Sequence, residues 1–394
     1  MEPTDPQLNQ GPHVELKTGA LYLGTLLQSS GASMLWPITT LYMHNQLHES
    51  LSVAGVVLML ISLAMMFGSY IGGYMFDHFN PFGVLMGTLT VAVGLMAGIS
   101  FWHTWPVFAL LMVVIGWADG VLYTLMSSYA ATITRIDTRK VFNMNYLAMN
   151  VGVVVGTLVV GALFQHGVQM VFWAALGMYV GLWLLAWYAF RLPGLKQQNV
   201  QERTQVHQRS VHPGKLLYGL LGLTFAIYFG YILWESVVAT HMTDLGLSIR
   251  DYSSLWTING VVLIIGQSVL NRYADRIKYR QSVLTGAVLF ALSFICLTYA
   301  RTYPQILGTF MILTLGEMLA APQIPAWVVS VSDPHAKGHA QGQVMMATSF
   351  GRALGPMFAG IVIDAAGYTV LFWLIALIIA GFTLLVAGLA RHAR

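Results

Sequence analysis

Apolar stretches of about twenty residues, separated by short polar breaks, run the length of the chain. A bilayer-spanning helix needs roughly 20 mainly apolar residues. Twelve stretches meet that length: residues 17–43, 51–76, 82–101, 105–132, 141–164, 170–190, 216–242, 252–273, 282–300, 303–331, 339–363 and 368–390. None alternates polar and apolar positions with a period of two, which argues against a lipid-facing barrel. The pattern predicts an all-α, polytopic membrane protein of twelve transmembrane helices.

Composition agrees. The 394 residues are 57% hydrophobic and 9% charged, against about 25% charged in soluble domains. The net charge of +4 is not a nucleic-acid signal, because the basic residues are scattered over alternate loops. With both termini placed in the cytoplasm, sixteen of the nineteen Lys and Arg fall inside, only Arg250 and Arg301 fall outside, and Arg352 lies within a span. That asymmetry obeys the positive-inside rule and predicts a multi-pass protein of the cell membrane with cytoplasmic termini. The first residues, MEPTDPQLNQ, lack the basic start and apolar stretch of a cleavable signal, so none is expected. The single cysteine, Cys296, lies in the ninth span and reads as an apolar filler.

The chain also repeats itself. A shift of 198 residues superposes Gly24 on Gly222, Trp36 on Trp234, Gly68 on Gly266, Asp77 on Asp275, Asp119 on Glu317 and Arg139 on Lys337. One inserted residue later, GVVVGTLVVG (152–161) aligns with GRALGPMFAG (351–360). Two six-helix bundles are therefore expected, at 1–192 and 214–394, joined by a polar, proline-bounded cytoplasmic linker at 193–213. Parallel six-helix repeats are the architecture of secondary transporters that bind substrate near the midplane between halves.

Two motifs carry a family resemblance. GGYMFDHFNPFG (72–83) resembles the loop signature that follows the second helix in the major facilitator superfamily. Gly73 and Asp77 match it; His78, Asn80, Pro81 and Phe82 depart from it. Its second copy, NRYADRIKYR (271–280), keeps Asp275, Arg276 and Arg280. GVVVGTLVVG is similar to the glycine-rich motif of that superfamily's drug:proton antiporters, with Thr157 where proline is usual, and GRALGPMFAG keeps Pro356. The resemblance implies a central cavity lined by spans 1, 4, 7 and 10, and a gating role for Gly73, Asp77, Asp275 and Arg276. Gly152, Gly156, Gly351 and Gly355 read as close helix packing and hinge compliance, not ligand contacts.

Three carboxylates lie inside predicted spans. Asp119 and Glu317 are near mid-span in the fourth and tenth, and Glu235 is nearer the outer end of the seventh. Such acids are costly in a membrane, so they face water, pair with a cation or carry a proton. All three are candidates for proton coupling. Arg352, at a depth similar to Glu317, is a candidate ion-pair partner that would make Glu317 structural instead. Polar and aromatic stripes at helical spacing predict a cavity wall that binds substrate: Ser33 and Trp36 in the first span, Tyr123 in the fourth, Tyr228, Tyr231 and Glu235 in the seventh, with Glu317 in the tenth. Pro322 and Pro325 predict a kink just beyond Glu317.

The histidines show no metal-ligand spacing and no phosphate-binding loop is present, so no metal, no cofactor and no ATP-driven transport are expected. The expected function is a proton-gradient-driven multidrug efflux antiporter for amphipathic, often cationic, compounds. Acids in the seventh and tenth spans resemble the pattern of bacterial multidrug exporters. The expected partners are small amphipathic substrates, protons and membrane lipids, with no nucleic acid, and the chain is expected to act as a monomer. The alternatives are a lipid or metabolite exporter of the same fold and, more distantly, an intramembrane enzyme or a sensor. No convergent nucleophile, base and oxyanion group favours the enzyme.

Overall fold

A computed structural model describes residues 15–49, 51–192, 214–273, 276–333 and 336–392. The expected linker and Asp275 lie outside the described residues. The first half consists of α1 (Thr18–Asn45), α2 (Leu51–His78), α3 (Pro81–Phe101), α4 (Val107–Thr132), α5 (Thr138–Leu163) and α6 (Val168–Ala189). The second consists of α7 (Lys215–Ser236), the short α8 (Val238–Asp244), α9 (Ile249–Tyr273), α10 (Tyr279–Tyr299), α11 (Tyr303–Ala320), α12 (Gln323–Val331) and α13 (Lys337–His392). The fold is all-α and polytopic. A backbone with no water to bond must satisfy its own N–H and C=O groups, and helices do so.

The expected seventh span breaks at Val237 into α7 and α8, and two other departures from one helix per span have plain causes. The tenth span is split at Ala321 and Pro322 into α11 and α12, because proline has no N–H to give the helix. The last two spans form one continuous element, α13, whose 56 residues would be about 84 Å long if straight. Gly367 bends it into two arms. Its φ of 78° and ψ of 174° are open to glycine and not to residues with a Cβ.

Asn80 and Pro81, which depart from the loop signature, also find a reason. The Asn80 side chain accepts the Phe82 N–H, and Pro81 occupies the first turn of α3. This pair starts a helix where the motif usually carries glycine and charge.

Each half has its own apolar core. Phe76, Phe108, Tyr129, Phe172 and Phe190 are fully buried in the first, and Trp234, Phe290, Phe294, Phe310 and Phe372 in the second. Large apolar side chains such as Phe67, Leu158, Leu184, Met357 and Leu384 are exposed on the outside, as a lipid-facing surface requires. A third, small cluster joins the halves: Tyr146 from α5, Leu263 from α9 and Met318 from α11. The first and last described residues, 15 and 392, lie on one side of the bundle, with Arg135, Arg139, Lys278 and Lys337 at the neighbouring helix ends and loops. That side is called the basic face below.

Candidate functional site

The glycine motifs set the distances at which everything else meets. Gly152 and Gly156 of α5 bring their backbone against the Leu26 and Ser30 carbonyls of α1. Gly351 and Gly355 of α13 do the same against the Phe225 and Phe229 carbonyls of α7. Repeat-related glycines thus build the same seam twice.

The second seam decides the ion pairing. Arg352, beside Gly351 on α13, reaches across this seam to α7. Its Nη2 donates to both carboxylate oxygens of Glu235, at 3.0 and 2.7 Å. The guanidinium also lies over the Tyr231 ring, 5.9 Å from its centroid. The expected Arg352–Glu317 candidate pair is therefore replaced by Arg352–Glu235. Depth along the span was matched, but the helix face was not. Glu235 consequently is not a bare carboxylate awaiting a cation.

Glu317 is buried and bonded from the other half. The Tyr146 hydroxyl on α5 donates to its Oε1 at 2.6 Å. Its Oε2 has no hydrogen-bond partner among the described residues. One turn away, Asn259 of α9 donates to Thr314 at 2.8 Å, so polar groups line this stretch of α11.

Asp119, the repeat equivalent of Glu317, has a different neighbour. Its Oδ1 accepts from Tyr179 of α6 at 2.5 Å. The Tyr179 ring is pressed against Gly31 of α1. Asp119 is thus enclosed by α1, α4 and α6, inside the first half. Sequence reasoning missed Tyr146 and Tyr179. A tyrosine in an apolar span carries no mark of its partner.

The remaining cavity candidates separate by environment. Tyr123, Tyr228 and Tyr231 are half-buried, and the rings of the last two lie 6.1 Å apart. The Ser33 hydroxyl is taken up by the α1–α5 seam, donating to the Ser30 and Val153 carbonyls at 3.2 and 3.4 Å. Trp36 falls on α1, and its side chain lies outside the described residues.

At the basic face the halves are clamped. Asp77, at the end of α2, is buried and accepts two backbone N–H groups at the start of α13: Gly338 at 2.9 Å and His339 at 2.7 Å. These are orphan donors of a helix N-terminus, where a carboxylate is also favoured by the helix dipole. Gly73 permits the approach, since a Cβ there would fall on the Gly338 carbonyl.

A second clamp is Arg139. Asp137 holds its guanidinium through Oδ1 and Oδ2, and Nη1 donates to the Ile277 carbonyl at 2.8 Å. That carboxyl is held below its ordinary range, first by the Arg139 side-chain bond. Deeper in, Gln323 of α12 donates to Asn143 of α5 at 2.7 Å. Arg276 instead lies over Tyr273 of its own half. Asp77, Arg139 and Gln323 thus bond the two halves through side chains near the basic face, among the described residues. No group of three His, Cys, Asp or Glu able to hold a metal occurs among them.

Comparison with known proteins bears on this arrangement. Residues 21–234 and 216–393 each match the Major Facilitator Superfamily. An uncharacterized MFS-type transporter of Bacillus subtilis, YttB, is 31% identical over 354 residues, covering 88% of each chain. The multidrug resistance protein MdtH of Photorhabdus laumondii is 23% identical, covering 85% of this chain and 84% of its own. Among solved structures, the human organic anion transporter MFSD10 superposes with a TM-score of 0.78 at 16% identity, covering 96% of this chain and 100% of its own. The proton:xylose symporter XylE gives 0.76 at 15%, covering 93% and 94%. The chain belongs to the Major Facilitator Superfamily, and is a membrane transporter and not an enzyme.

Proposed function

We propose that the protein is a proton-driven exporter of amphipathic small molecules, working by alternating access with its basic face toward the cytoplasm. The carrying observation is the Tyr146–Glu317 hydrogen bond, which links a buried carboxylate on one half to a hydroxyl on the other. When the halves part at this face, that bond breaks. A charged carboxylate is the stronger acceptor, so the deprotonated acid favours the closed face and proton arrival weakens it. Proton occupancy and conformation are thereby linked, and the linkage acts in both directions.

Export of drug-like compounds rests on two supports. The half-buried tyrosines suit apolar, aromatic ligands, and distant relatives such as MdtH are named for multidrug resistance. Orientation rests on the distribution of Lys and Arg.

The test is dye transport in proteoliposomes under an imposed pH gradient. Glu317→Gln keeps the shape of the side chain and removes its proton. The variant should insert normally and lose gradient-driven transport. Full gradient-driven transport by Glu317→Gln would sink the proposal.

A further inference from the structure

Glu235 and Arg352 keep 34% and 26% of their side chains accessible, whereas Asp119 and Glu317 are buried. Charged groups inside spans face the bundle interior or a water-filled cavity rather than lipid. The pair lies beside the Tyr231 ring, and Tyr231 beside Tyr228. An accessible pair of opposite charges therefore flanks an aromatic wall.

We propose that this pair makes the site select amphipathic zwitterions, molecules with a cationic group and a carboxylate on one apolar body, over plain organic cations. This rests on the transporter reading above and names its substrate class. The reason is electrostatic. A monocation approaching Glu235 also approaches Arg352, whose nitrogen is 2.7 Å from the same carboxylate. Its attraction to one is offset by repulsion from the other. A monoanion meets the converse. A zwitterion placed across the pair gains from both. Its carboxylate meets the fork of N–H donors that guanidinium presents to such groups, and its cation meets Glu235. The tyrosine rings receive the apolar body.

Rhodamine B and its ethyl ester share one ring system and differ by a free carboxylate, so they make a matched zwitterion and cation. Binding to the purified full-length protein is read by fluorescence anisotropy at neutral pH, with no gradient. Rhodamine B should bind about tenfold more tightly than the ester, equivalent to about 1.4 kcal/mol. Arg352→Gln should abolish or reverse that preference. The double swap Glu235→Arg with Arg352→Glu restores a pair of opposite charges and should restore the preference, which guards against a fold defect in the single variant. Ester binding as tight as acid binding in the wild type would overturn the proposal. So would an unchanged ratio in Arg352→Gln. Binding needs no proton gradient, so the two readings fail separately: gradient-driven transport by Glu317→Gln removes the coupling, while the dye ratio judges the pair.

Discussion

Asp77→Asn tests whether the clamp at the basic face sets the balance of conformations. In the wild type each carboxylate oxygen takes one N–H at the start of α13, at 2.9 and 2.7 Å. Asparagine keeps one acceptor and turns an amide NH2 toward the other donor. One hydrogen bond to a charged group is lost, which removes about 1.5–3 kcal/mol. Loss of the charge at a helix N-terminus removes about 0.3–1 kcal/mol more. Together these give about 2–4 kcal/mol, or a shift of about 30-fold to several hundred-fold toward the state open at this face. Spin labels on Phe79→Cys and Lys278→Cys, with Cys296 replaced by serine, would report the separation of the halves by pulsed EPR. Both positions are exposed and neither side chain carries the clamp. The variant should gain a longer-distance population at neutral pH. Distance distributions that match the wild type at neutral and acid pH would refute the reasoning.

Three further substitutions probe the frame. Gly120→Val puts a side chain on the Met65 carbonyl where α4 crosses α2; overpacking of this kind costs about 1–3 kcal/mol, so the melting temperature should fall, while Gly87→Ala, with open space around it, should leave it unchanged. Asp137→Asn probes the basic face: a carboxyl held below its ordinary value stabilises the fold above about pH 3.9 and loses that effect as pH falls through its lower folded-state value. The side chain is 33% accessible, so the effect is under about 1 kcal/mol; melts between pH 3 and 7 should show a shallower acid decline in the variant.

The parts legible in the sequence are those that the membrane or the backbone enforces. Lipid demands long apolar helices, so the spans are readable, and Pro322 marks the break beyond Glu317 because any proline there must. A motif marked Asp77 for a gating role, and the chemistry of a helix N-terminus accounts for its bonds to the start of α13. The glycine motifs declared close packing, and their repeat declared two like seams.

What was hidden depends on rotation about a helix axis. Arg352 and Glu317 agree in depth, yet one faces α7 and the other α5. Tyr146 and Glu317 are 171 positions apart, and no spacing signals a contact of that kind. The repeat itself misled. It made Asp119 and Glu317 equivalent in place, and place alone did not supply equivalent partners.

That inequality separates the three acids inside the spans by what a rocking motion does to them. If the halves move as rigid bodies, distances inside each half stay fixed. Asp119 and Tyr179 both belong to the first half, so their bond survives the motion. Glu235 and Arg352 both belong to the second, so theirs survives as well. The Tyr146–Glu317 bond crosses the divide and does not. A ligand shifts a conformational balance only by its differential affinity for the two states, and a proton is such a ligand. An acid with the same neighbours in both states has no differential to offer. Among the three, Glu317 is the one whose partner is set by the conformation. The repeat shows this in the residues: past the inserted residue the shift of 199 carries Tyr179 onto Ile378, and Tyr146 has Val344 or Met345 at its counterpart. Both halves kept the acid, and the tyrosines diverged. One acid became part of a half's internal packing, and the other became a contact between halves, which is the position from which a proton can bias the gate.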